Sequence, residues 1–364
     1  MPKKRADVTP ASPDLFFAKE LAGEEPPSFA AMKRLYDRAS DLFGFRPWQV
    51  LDESELIVTS DSKSGELWFC SVMGSMGEVY SMHAYRGEEG LRLFRSIAAE
   101  DLTDSGEVLA SMHCLSVEFV PRKELKRQDR DLLAALGHPQ GRGLASPIFR
   151  VIRPGFHPWF VNAEEARTLA ECIRSVVVIC AANANQKDVC FWDQADTYPI
   201  VTRAEGAEPR YKIDLIKPVL PPQPPIAPLN LPEELLRPLR GQDYAVRGTM
   251  DLEYIFSGAA VGKPSERAAC VAIALAVDAE TGIVYAPEAL DASVPPAEAL
   301  ARVFLKAVQS NHAFPREVRL RSQKYAASLG PLMESFGVKL RVANRLPAAE
   351  EARSQLLGLM GGKQ

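Results

Sequence analysis

Hydrophobic spacing changes period several times along the first half of the chain, and each change marks an element. Phe29, Met32, Leu35, Tyr36, Ala39, Leu42 and Phe43 recur on one helical face, with Ser28 placed to cap it. Shorter β-type patterns follow at residues 55–59, 66–72 and 78–85, with a turn at 62–65 between the first two. A helix near 87–97, a strand at 114–120, a charged and solvated helix over 122–136 and a strand at 148–152 come next. Beyond a proline-bounded corner at 154–158, residues 163–182 form the strongest helix of this half. Leu169, Cys172, Ile173, Val176, Val177 and Cys180 nearly encircle its C-terminal end, so that end is expected to be buried. Strands near 197–202 and 211–216 close the half.

The order is simpler in the second half. Three strands at 244–255, 268–277 and 282–287 come first, the last two joined by a short turn at 278–281. Ala297, Leu300, Val303, Phe304, Ala307 and Val308 mark a helix, and residues 317–320 a strand. Leu329, Leu332, Met333 and Phe336 mark the next helix, before the alternating strand 338–342 and a last helix near 347–359. The order is βββαβαβα. Between the halves, residues 218–228 hold six prolines in eleven positions, which excludes helix and central strand. The expected organisation is a disordered tail (1–25), an N-terminal α+β sheet domain (26–217), a Pro-rich linker (218–231) and a C-terminal domain (232–364). All four tryptophans (48, 68, 159, 192) precede the linker, which argues for two separate cores.

Composition narrows the function classes. An apolar fraction of 46% with 25% charged residues is that of a globular chain. A net charge of -4 gives no global basic field for nucleic acid. No apolar run approaches the roughly 20 residues of a membrane span; the longest candidate is 173–183. Lys3, Lys4 and Arg5 precede no apolar segment, so no signal peptide is read and a cytoplasmic location is expected. The six cysteines form no C-x-x-C pair and sit mostly in apolar runs, as buried reduced thiols do. The five histidines show no metal-ligand spacing, so neither a metal site nor a cofactor is expected.

Few residues carry candidate chemistry. Met73, Gly74, Met76 and Gly77 lie in a glycine- and methionine-rich hairpin at 71–85, readable as a pocket loop or as a tight turn over a methionine-filled core. The stretch 258–264 (GAAVGKP) imitates a phosphate-binding loop, but it has the wrong spacing and joins strand to strand, so it is rejected. Arg122, Lys123, Lys126, Arg127 and Arg130 read as a solvated helix face, and His113 and His157 as structural histidines. Arg319, Arg321, Lys324, Lys339 and Arg341 are the nucleic-acid-binding candidates.

Two resemblances add to this. Trp48 and Leu51, the Ser71–Gly74 tetrapeptide, and Tyr85, Gly87 and Gly90 resemble the pattern of a bacterial domain of unknown function over residues 30–100. The second half resembles another such domain found beside it, so the chain looks like an uncharacterised two-domain bacterial family. The βββαβαβα order, with DLEYI at 251–255, the 277–284 hairpin and the strand–helix–strand from 319 to 340, also resembles the ribonuclease H-like fold of integrases and transposases. That resemblance implies three carboxylates around two divalent metals. Asp251 could stand first, but Ser322, Gln323 and Lys324 occupy the second place. The resulting expectation is a non-enzymatic binding or accessory protein, with protein or nucleic acid as partner and no membrane. The alternative is an Mg²⁺- or Mn²⁺-dependent nuclease or nucleotidyl-transfer enzyme using Asp251 with Asp278, Glu350 or Glu351.

Overall fold

A computed structural model describes residues 21, 23–99, 105–138, 145–185, 192, 195–203, 211–220, 222, 229–262, 267–291 and 294–361. Helix α1 (Phe29–Phe45) starts where Ser28 Oγ accepts the Ala31 N–H, and it buries Met32, Leu35, Tyr36, Ala39 and Leu42. Phe29 stays 39% exposed at its first turn, outside the face its spacing predicts.

Seven strands form one sheet: β1 (Ile57–Ser60), β2 (Leu67–Met73), β3 (Tyr80–Arg86), β4 (Cys114–Pro121), β5 (Ala145–Ile152), β6 (Tyr198–Arg203) and β7 (Tyr211–Ile216). The order is β5-β4-β3-β2-β1-β6-β7, antiparallel except where β1 meets β6. Helices α2 (Gly87–Ala98), α3 (Ser105–Ser111), α4 (Arg127–Ala135) and α5 (Ala163–Asn185) complete this half. The crossover containing α5 makes the parallel β1–β6 pair possible. Its Leu169, Ile173 and Val176 pack with Leu35 and Met82 in the main core. Leu91 of α2 closes the opposite face on Phe69, Tyr85 and Cys114.

Two expectations change here. The segment 122–136 is not wholly solvated: α4 begins at Arg127 and buries Asp129, Leu132 and Leu133. Asp129 is held by Arg150 of β5 at 2.6 Å, so the helix is pinned by a buried ion pair that its charged text conceals. Residues 1–20 and most of 218–228 lie outside the described residues, but the end of the expected tail is placed. Leu21 is 3% exposed in the main core.

In the second half, α6 (Glu233–Leu236) and β8 (Ala245–Val246) lead into a five-stranded sheet. Its strands are β9 (Thr249–Val261), β10 (Ala269–Asp278), β11 (Val284–Asp291), β13 (Glu317–Leu320) and β14 (Lys339–Val342), with α7 (Pro296–Asn311) between β11 and the short β12 (Ala313–Phe314). Helix α8 (Gln323–Ser335) joins β13 to β14, and α9 (Pro347–Gly361) follows. The order is β11-β10-β9-β13-β14, with β9–β13 and β13–β14 parallel and the other two pairs antiparallel. Residues Met250, Leu252 and Tyr254 of β9 face α7 and α8. The alternate positions turn toward α9, where Ile255 packs with Leu346 and Ala349. Among the described residues, no helix is long and apolar enough to cross a membrane.

The strand expected at 244–255 divides at Gly248, whose φ of 72° breaks the extended run between β8 and β9. Strand β9 then continues to Val261, so the phosphate-loop imitation begins as strand and ends in the β9–β10 connection, part of which lies outside the described residues.

Candidate functional site

A buried polar cluster lies on the α9 side of β9. Period-two alternation puts Asp251 and Glu253 on that face, 0% and 3% exposed. Strand β13 runs parallel beside them, with Arg319 in register with Asp251. Arg319 Nε donates to Asp251 Oδ1 at 2.7 Å. Arg321, two residues on and on the same face, donates to Glu253 Oε1 at 2.8 Å. Its second nitrogen reaches Glu350 Oε1 at 3.0 Å, and Arg353 of α9 also donates to Glu253 Oε1 at 3.0 Å. The bond to Asp251 raises the Arg319 guanidinium further above its ordinary range. Desolvation works to raise the Glu350 carboxyl, but the Leu346 N–H and Arg321 outweigh it and hold it below its usual range.

The structure therefore brings Asp251 and Glu350 to one face, each bonded to its own guanidinium, Asp251 to Arg319 and Glu350 to Arg321. Glu253 and Arg353 belong to the same network and were missed from sequence. Their signal was a matched alternation: Asp-Leu-Glu on β9 answers Arg-Leu-Arg at 319–321. Asp278 is not part of the site. It pairs with Met250, one step out of phase with Asp251, and so points to the other face. Its Oδ1 accepts the N–H groups of Glu280 and Thr281 and the Thr281 hydroxyl, closing the β10–β11 turn. Beside it lies a cavity of about 220 Å³ lined in part by Arg247, Thr249, Tyr285 and Asn311. Glu351 faces solvent and accepts from Gln355 at 3.3 Å.

This donor set does not fit a pair of divalent cations. A metal cluster needs carboxylate oxygens aimed at a common point, whereas Asp251, Glu253 and Glu350 each already accept from at least one arginine. Among the described residues, no three His, Cys, Asp or Glu side chains converge as a metal site. Asp251 Oδ2 is buried without a hydrogen-bond partner.

The remaining basic candidates divide between structural and exposed positions. Arg319 and Arg321 are engaged internally. Lys339 and Arg341 of β14 are 72% and 62% exposed at the side chain and share one carboxylate, Glu317, at 3.1 and 3.9 Å. Lys324 is exposed in the first turn of α8, which Ser322 caps by accepting the Tyr325 N–H at 3.1 Å.

In the first half, the Met73–Gly77 hairpin is filled. A side chain at Gly74 would stand 2.7 Å from the Tyr80 ring and 3.2 Å from Trp48 Cβ, while Met76 projects outward, 85% exposed. Gly87 and Gly90 have a local reason: Gly87 takes φ 60°, and a Cβ on Gly90 would meet the Tyr85 backbone at 2.9 Å. These glycines let α2 start directly over β3. Burial lowers His83 and His113 to about 4, so both are neutral near pH 7.

Residues 33–201 match a family described as a domain of unknown function (DUF7309), and residues 235–357 match a second, a domain of unknown function (DUF6930). Searches of curated proteins and of solved structures returned no match.

Proposed function

We propose that this chain is a non-enzymatic accessory protein whose C-terminal half is a catalytically degenerate ribonuclease H-like module. The fold reading is supported by the sheet order β11-β10-β9-β13-β14, with two parallel joints following two antiparallel ones. The loss of catalysis is carried by one observation, Arg319 on Asp251 at 2.7 Å. On this reading Asp251 stands for the first metal ligand of such a fold, and the Arg319 guanidinium bonded to it opposes the approach of a cation. The five described free cysteines, all buried, suit a reducing cytoplasm, the setting we assign to it in a bacterium.

A nuclease assay with Mn²⁺, on single- and double-stranded substrates, tests this. Wild type and Asp251→Ala are expected to give the same background. Mn²⁺-dependent cleavage that disappears in Asp251→Ala sinks the proposal. Lys339 and Arg341, exposed beside each other's strand positions, support an anionic partner at β14. The Lys339→Glu/Arg341→Glu variant is expected to leave a heparin column at lower salt than wild type; equal retention removes that face from consideration.

A further inference from the structure

The β9–β10 hairpin is longer than its own sheet requires. Strand β13 pairs with β9 only over Thr249–Asp251, whereas β10 follows β9 as far as Val261. Residues 268–270 at the start of β10 lie against the corner that follows β5 in the other half. Cys270 N–H donates to Gly155 O at 2.9 Å, and His157 N–H donates to Ala268 O at 2.9 Å. Phe156 and Ala269 form the antiparallel bridge between them. His157 Nε2 stands 3.1 Å from Ala259 O.

A charge cluster surrounds this seam. Arg267, at the base of β10 and only 10% exposed, donates to both Glu24 oxygens, at 2.7 and 2.9 Å. Arg153 reaches the same carboxylate at 3.0 Å and Glu165 at 2.6 Å, while Arg267 lies 3.5 Å from Glu165. Asn162 adds a 2.7 Å bond to Glu24. Asn162 and Glu165 are fixed within their own half, where each accepts the other's backbone N–H at 2.9 Å in a reciprocal cap at the start of α5. The N-terminal half thus presents two carboxylates with one guanidinium, and Arg267 supplies the matching positive charge.

We propose that this is an intramolecular docking site. The Gly155–His157 edge and the Glu24–Glu165 acid pair receive Arg267 and the β9–β10 hairpin of the same chain, so the halves form one unit without help from the proline-rich linker. The main-chain bonds supply β-type pairing at a strand end, and the ion cluster fixes its register.

The test is made on the full chain with a protease site inserted within 221–228. After cleavage, size-exclusion chromatography with light scattering is expected to show the two fragments travelling together, at the mass of one uncut chain. Arg267→Glu and Glu24→Gln, substitutions in different halves, are each expected to weaken that association by about tenfold or more, since each removes one partner of a part-buried, bidentate charge pair. Arg240→Glu, which breaks the exposed pair with Glu233, is expected to leave it unchanged. The uncut wild type serves as the folding reference, by circular dichroism, for each variant. Raising wild-type buffer from about 0.1 M to 1 M salt should favour separation, and this arm needs no variant. Wild-type fragments that separate at micromolar concentration overturn the proposal. So does an Arg267→Glu pair that holds as tightly as wild type, or a particle of twice the expected mass, which would place the hairpin on a second copy.

Discussion

Asp251 and Arg319 face each other because β9 and β13 are parallel neighbours in register, and the pair is asymmetric in its exposure. Asp251 is wholly buried, while the Arg319 side chain is about a quarter exposed (25%). Removing the arginine strands a carboxylate whose second oxygen already lacks a partner. Arg319→Ala is therefore expected to destabilise the fold by about 3 kcal/mol, the low end for a broken buried pair because Arg319 keeps some solvent. Removing both charges together, in Asp251→Asn with Arg319→Met, should cost clearly less. Urea unfolding of the two variants checks this, and equal losses would show that the arginine acts by packing alone. Gly90→Ala belongs to the same scale: its Cβ would press on the Tyr85 backbone, which cannot move aside as a flexible side chain can. A loss of about 1–3 kcal/mol is expected, read in the same unfolding experiment.

Elements were legible in the sequence where one local force dominates. The apolar face of α1 and its Ser28 cap gave the helix, and the alternation at 317–320 gave β13 with both ends correct. The strand expected near 211–216 is β7, Tyr211–Ile216. What failed were elements defined by distant partners. Helix α3 is seven residues long and carries too short a period to announce itself. The far end of β9 reads Ser-Gly-Ala-Ala-Val, a loop-like composition that becomes strand only because β10 pairs with it. The arginines at 319 and 321 were legible as basic residues but not as partners of Asp251 and Glu253, because strand adjacency is not written locally. Capping at α8 is one local signal with a measurable size. Ser322 is 4% exposed and bonds the Tyr325 N–H, so Ser322→Ala is expected to cost about 1 kcal/mol. A loss below a few tenths would show that the turn holds without its cap.

At the scale of the whole molecule, the seam between the halves has a pH dependence whose sign follows from Glu24. The hydrogen bond from Arg267 is the largest influence on that carboxyl and, with Asn162 and Arg153, lowers it from 4.5 to about 2 against the opposing effect of burial. Asn162 and Arg153 lie in Glu24's own half, so the Arg267 part of this lowering is what docking adds; it is fully present above about 4.5 and is lost as pH falls toward 2. The seam should therefore loosen on acidification and be indifferent between pH 6 and 8 as far as Glu24 is concerned. His157 touches the same seam through Nε2, 3.1 Å from Ala259 O. Hydrogen exchange at the Cys270 and His157 amides reports the seam directly, since each is bonded across it. Their protection is expected to fall between pH 4.5 and 2 relative to amides in the middle of β10, which measure the stability of the C-terminal sheet itself. In Glu24→Gln the same two amides should already be less protected at neutral pH and should lose less on acidification. If seam and strand amides lose protection in parallel in both proteins, acid is unfolding the sheet and Glu24 is not what holds the halves together.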